Sequence, residues 1–252
     1  YQEQVLMDCR EERSSIVTGQ MNLFGGESEA VRETPIPSLP ELERSALLQL
    51  EHESLGLYLS GHPLEQSQWL RQLCRATPAA ALSEQPDGGK VLLIVTLQHV
   101  KQHTTKKGET MCFLTCEDQS GSADCVVFPA LYNSVKPYLQ QDAVLYLRGK
   151  ISQKENAVSV LCDSVLQEEA FFRTLPQGRL CVKIDSRQTA ELQQLLAVIG
   201  QHAGNVPVCF YLTDRKKMLS PRGGQAVAVN SESYAALCAV VSPEQVGFLP
   251  PA

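Results

Sequence analysis

Three groups of residues in this chain could do chemistry: a pair of carboxylates, a set of cysteines, and lysines interleaved with aromatics. Glu117 and Asp118 are adjacent in "TCEDQSG". Paired acids can hold a metal or share a proton, but these stand at a strand end beside turn residues and read as turn-forming or solvated. The nine cysteines are scattered, and Cys112 and Cys116 have no second pair to complete a zinc site. They read as free, mostly buried thiols of a reducing cytosol. His62 sits in a Gly-His-Pro turn without a neighbouring nucleophile, a structural position. "RGGQ" at Arg222–Gln225 is not a dinucleotide fingerprint, and no phosphate-binding P-loop occurs. The sequence therefore predicts no catalytic residue, no metal and no cofactor in this chain.

The third group is more informative. "VKQHTTKKGE" carries Lys101, Lys106 and Lys107 with His103, and no acid lies between Lys101 and Gly108. Lysines in such a run suit phosphates, supplying sequence-neutral, salt-dependent affinity. Phe113, Phe128, Tyr132 and Tyr146 are the aromatics on which bases could stack, and Lys150 and Lys154 add charge further on. Phe113 and Phe128 lie in strands, where such residues are as often core, and the lysine run also fits a solvated hairpin tip. Both readings stand at this level. The chain as a whole has no basic signature: its net charge is −6. Residues 1–90 are strongly acidic, with seven basic against fourteen acidic side chains, while residues 91–166 balance at seven each. Any nucleic-acid contact must come from a local patch.

The elements that would position these groups follow from periodicity. Residues 1–13 read as a helix end and 14–38 as a flexible linker rich in Gly and Pro. Residues 39–86 form a helical segment. Its first helix is capped at Ser38, with leucines at helical spacing until Gly56, and a short helix follows over Leu64–Cys74. From residue 88 to 168 the period changes to two. "KVLLIVTLQHVKQ", Met111–Glu117 and Ala123–Phe128 are strands, "ALYNSVKPYLQQ" is helical, and two more strands flank "QKEN". The order β-β-β-α-β-β is that of the OB-fold, a five-stranded β-barrel, whose first inter-strand loop would carry Lys106 and Lys107. Residues 176–252 form a small C-terminal α+β domain of β-α-β-β-α-β order. The fold class is thus α+β, multidomain. No apolar run is long enough to span a membrane, and no signal peptide is recognised at the N-terminus. The chain has no initiator Met and is read as a fragment of a cytoplasmic protein.

Three stretches together resemble the C-terminal portion of the alpha subunit of bacterial DNA polymerase III, the C-family of replicative DNA polymerases. They are "GQMNLFGG", "EHESLGLYLSGHPLE" and "TTKKGETMCFLTCEDQSGSADCVVFP", and the resemblance covers about residues 14–165. It implies that Gln20, Leu23 and Phe24 form the family's sliding-clamp-binding motif, with Met21 and Asn22 at its variable positions. It also implies that the Lys106–Lys107–Gly108 turn meets single-stranded template DNA. The last module resembles, more weakly, a domain that in some members binds the clamp-loader tau subunit. The family's palm, fingers and N-terminal domain have no counterpart, so the chain is predicted not to synthesise DNA unaided. The remainder of an alpha subunit is an implied partner. The alternative is a stand-alone OB-fold module for tRNA or other nucleic acid; an enzyme using Glu117, Asp118 and a metal is a third reading.

Overall fold

The computed structural model describes residues 42, 44–56, 58–154, 157–221 and 223–251. The chain divides into two compact units, 1–47 and 48–252. The expected helix end at 1–13, the linker with Gln20, Met21, Leu23 and Phe24, and the Ser38 cap lie outside the described residues.

Helix α1, Arg44–Leu55, ends at Gly56, whose φ of +71° is the left-handed conformation that stops a helix. A single 3-10 turn over Pro63–Glu65 and the short helix α2, Gln68–Leu73, follow in place of one helix over Leu64–Cys74. Pro63 at the start of the turn and the interruption before Gln68 account for the difference. His62 has the turn role expected of it: its Nδ1 accepts from the Leu64 N–H at 3.1 Å.

The OB-fold follows as expected. Strands β1 (Lys90–Thr104), β2 (Thr110–Asp118), β3 (Gly121–Val127), β4 (Val144–Lys154) and β5 (Ala157–Leu166) close a barrel in the order β1-β2-β3-β5-β4. Helix α3, Pro129–Val135, lies between the third and fourth strands. Strand β1 closes the barrel by serving two partners: residues 90–96 pair with β4 and residues 96–104 with β2. The change is marked by a register shift between Leu97 and His99, a bulge that bends the strand. Alternation fills the interior with Leu93, Val95, Leu97, Leu114, Val127, Leu145, Leu147 and Val160. Gly149 is required where β4 and β5 come closest, since a Cβ there would stand 2.3 Å from the Leu161 carbonyl oxygen.

Beyond the barrel, helix α4 (Glu168–Thr174), strand β6 (Arg179–Ile184), helix α5 (Thr189–Gln201), strands β7 (Ala203–Leu212), β8 (Lys217–Leu219) and β9 (Ala226–Val227), helix α6 (Ser231–Val240) and strand β10 (Val246–Leu249) complete the chain. The sheet runs β10-β6-β7-β8, with β9 also on β7. Strand β8 is additional to the expected order. Its three exposed residues show no alternation by which to read it. Leu192, Leu195, Leu196 and Ile199 form the apolar stripe of α5 against this sheet. Asn230 and Ser233 cap α6 reciprocally.

One apolar cluster joins this module to the barrel. Ile94 and Tyr146, pointing outward from β1 and β4, pack with Leu70 and Leu73 of α2, with Phe171 of α4, and with Leu180, Val182 and Phe210 of the second sheet. Tyr146 and Phe171 stack at 4.6 Å between centroids, a geometry worth about 0.5–1.5 kcal/mol beyond area burial. No helix among the described residues is long and apolar enough to cross a membrane.

Candidate nucleic-acid interface

The outward face of β1, β2 and β3 carries the residues of interest because the register stacks them. In an antiparallel pair, residues directly opposite project to the same face. Lys101 lies opposite Phe113, His103 opposite Met111 and His99 opposite Thr115. Phe113 is in turn opposite Val126 of β3, and Thr115 opposite Asp124. Buried Cys112 and Leu114 flank Phe113 in sequence, so alternation turns its ring outward, where it is 41% exposed. The His103 ring meets it edge-on, 6.2 Å between centroids. This is a basic and aromatic strip on a rigid wall, the arrangement on which a base can stack while a lysine meets the adjoining phosphate.

Lys106 and Lys107 crown the β1–β2 hairpin. The connection closes through Thr105 N–H donating to the Glu109 carbonyl (2.8 Å) and Gly108 N–H donating to that of Thr105 (2.9 Å). Gly108 has φ +80°, the conformation that favours glycine at a tight turn. Both lysines are exposed. Neither they nor Lys101 forms an ion pair among the described residues. Phe128, 44% exposed, ends this face just before α3. Lys154 ends β4 at the turn end of the β4–β5 hairpin, opposite Ala157, the first residue of β5. Lys150 is two strands from Phe113, on β4, opposite Leu161 on one side and Lys90 on the other. The structure thus brings Lys101 and Phe113 together, sets Lys106 and Lys107 at the tip beside them, and places Lys150 further round the barrel. Tyr132 and Tyr146 are 4% and 0% exposed, and so are not available for stacking.

The carboxylates have other work. Asp118 is buried and accepts from Arg71, from the Ser120 hydroxyl and from the N–H groups of Ala79 (3.2 Å), Ser120 (2.7 Å) and Gly121 (3.2 Å). Burial alone would raise its pKa. The Ser120 contacts, the Ala79 N–H and Arg71 outweigh that and hold the carboxyl below its ordinary value. Glu117 accepts from the Gln98 amide at 2.6 Å. The turn-forming reading of Asp118 is the one the structure supports. Six of the eight described cysteines are buried. Burial pushes the Cys112 thiol up to about 11, so it stays protonated and inert.

One polar cluster had no signal in the sequence. Asp142, in the left-handed conformation at φ +62°, receives the Tyr58 hydroxyl (3.1 Å) and His52 Nδ1 (3.1 Å). The His52 and Tyr58 rings stack at 4.6 Å. The cluster ties the segment after α1 to the approach of β4. His52 and Tyr58 both stand in the stretch "EHESLGLYLSGHPLE", but Asp142 lies 84 residues beyond Tyr58, and only the fold brings it to them.

Residues 91–167 match the model of the OB-fold nucleic acid binding domain family. The chain is 29% identical over 204 residues to the DNA polymerase III subunit alpha of Bacillus subtilis (strain 168), covering 79% of this chain and 18% of that protein. It is 27% identical over 238 residues to that of Saccharopolyspora erythraea (86% and 19%), and 29% over 211 residues to that of Thermus aquaticus (82% and 17%). The chain therefore spans about a fifth of the length of the curated relatives it matches. Among solved structures, a replication protein A domain from Methanococcus maripaludis aligns with 34% of this chain and 89% of its own, at TM-score 0.29 and 12% identity, too slight a likeness to argue from. The chain is thus similar to a part of DNA polymerase III alpha subunits, and its residues 91–167, which close as a five-stranded barrel, match the OB-fold nucleic acid binding domain.

Proposed function

We propose that this chain is a non-catalytic part of a replicative DNA polymerase that holds single-stranded template on the β1–β3 face of its OB-fold. The observation that carries the reading is the cross-strand pairing of Lys101 with exposed Phe113, beneath a hairpin tip bearing Lys106 and Lys107. Phe113, and Phe128 at the edge, supply stacking surface. The lysines, with Lys150 and Lys154 further along, supply phosphate contacts. In this reading Gln20, Met21, Leu23 and Phe24 tether the chain to the sliding clamp. A short peptide can place a Leu-Phe pair in an apolar pocket while Gln20 hydrogen-bonds at its rim. The C-terminal module, with Met218, Leu219 and Leu249 exposed, is the part that would meet the clamp-loader tau subunit. A stand-alone OB-fold module for tRNA fits less well, because the similarity to alpha subunits extends over 204–238 residues and the barrel model matches only residues 91–167.

The test is the salt dependence of binding to a single-stranded oligothymidylate. Each phosphate contact on a single strand contributes about 0.7 to the slope of log K against log salt. Lys106→Ala with Lys107→Ala should flatten the slope by about 1.4. An unchanged slope would reduce the hairpin tip to a solvated turn.

A further inference from the structure

The registers of all five barrel strands contain a longer line than the β1–β3 face. Lys101 opposes Phe113, Phe113 opposes Val126, Val126 opposes Leu161 across the parallel β3–β5 pair, Leu161 opposes Lys150, and Lys150 opposes Lys90. Alternation points each of these outward. Val126 and Leu161 are half-buried between core-facing neighbours, and Lys150 and Lys90 are exposed. One transverse row on the barrel wall therefore reads Lys, Phe, Val, Leu, Lys, Lys. The adjoining row is His99, Thr115, Asp124, Ser159, Ser152. It is polar and includes an acid, so it offers neither a stacking surface nor a phosphate grip.

The far end of the row is the unusual part. Lys90 and Lys150 are direct cross-strand partners of like charge, an arrangement that weakens a sheet. Neither lysine forms an ion pair among the described residues. A repulsive pair at the end of an apolar row is what an external anion would relieve. We infer that Lys90 and Lys150 form a second phosphate grip, so that the bound single strand crosses all five strands of the barrel from Lys101 to Lys90, its bases lying on Phe113, Val126 and Leu161. The inference rests on the reading of the β1–β3 face given above. Five strand-to-strand steps of about 4.8 Å make a path of about 24 Å. At the stacked spacing of about 3.4 Å that is roughly seven nucleotides, and fewer when the strand is extended. This lies within the span of about 4–16 nucleotides that one OB-fold occupies.

The test uses the full chain, anisotropy titrations with oligothymidylates of three and twelve residues, and a series of salt concentrations. Lys90→Ala with Lys150→Ala should lower the salt slope for the twelve-mer by about 1.4. It should leave binding of the three-mer, which reaches only the Lys101–Phe113 end, unchanged. Because the pair repels itself, the same variant should melt no lower than the wild type. Lys216→Ala with Lys217→Ala removes equal charge from the β7–β8 connection and should leave the slope intact. If the wild type binds the twelve-mer with salt dependence but the Lys90/Lys150 variant keeps its slope, or the Lys216/Lys217 variant loses as much, the second grip is refuted. If the wild type shows no salt-dependent binding at all, the reading of the β1–β3 face fails and this inference with it.

Discussion

Asp118→Ala should unfold this protein more readily than any surface change, and the structure says by how much. The Asp118 side chain is 1% exposed and that of Arg71 14%. The carboxylate accepts from Arg71, Ala79, Ser120 and Gly121, so it joins α2, the 3-10 turn after Pro78 and the β2–β3 turn. Truncation leaves the largely buried guanidinium without its counter-charge and the N–H groups of Ala79 and Gly121 without their acceptor, a loss of up to about 3–5 kcal/mol. In a chain of this size each kcal/mol moves the melting temperature by about 2–4 °C, so calorimetry should register a fall of roughly 6–20 °C. Arg71→Met combined with Asp118→Ala removes both charges and should be less destabilising than the two single changes summed, since partners in one network couple by about 0.5–3 kcal/mol. The pH dependence has a definite sign. The folded-state carboxyl is held below its unfolded value, so the stabilisation is present above the free carboxyl pKa of about 4 and is lost as the pH falls through the lower, folded-state value. Acid unfolding of Asp118→Ala should therefore be less pH-dependent than that of the wild type. A melting shift equivalent to less than about 1 kcal/mol, or additive single and double variants, would refute the buried-pair account.

Two other outcomes follow. Gly149→Ala forces a Cβ against the Leu161 carbonyl and should destabilise the barrel by about 1–3 kcal/mol in denaturant titration, the range for overpacking. Leu23→Ala with Phe24→Ala should abolish capture of the chain by an immobilised sliding clamp while leaving its melting temperature unchanged; undiminished capture would remove the clamp from the proposed function.

The barrel was legible in the sequence because its strands alternate and its turns are marked by Gly108 and by Ser120–Gly121. The fold of the site was legible for the same reason: Lys106 and Lys107 fall at a hairpin tip whatever else the chain does. The difference between Phe113 and Tyr146 was not legible. Both rings point outward from alternating strands, but Phe171 of α4 covers Tyr146, whereas among the described residues Phe113 has no such cover and is 41% exposed. Which outward face is covered is decided by packing with the C-terminal module, contacts made across more than twenty residues of sequence. The opposition of Lys90 and Lys150 was hidden because it depends on the register of β1 against β4. Asp142 was hidden because its partners, His52 and Tyr58, precede the barrel altogether.

The most direct test of the central claim is hydrogen exchange of the full chain with and without a twelve-residue oligothymidylate. Binding on the proposed face should slow exchange at the hairpin tip, Thr104 to Thr110, and along the facing segments of β2 and β3, leaving the second sheet unchanged. Protection confined to β6–β10, or exchange identical with and without the oligonucleotide, would contradict the claim that this wall of the barrel holds single-stranded nucleic acid.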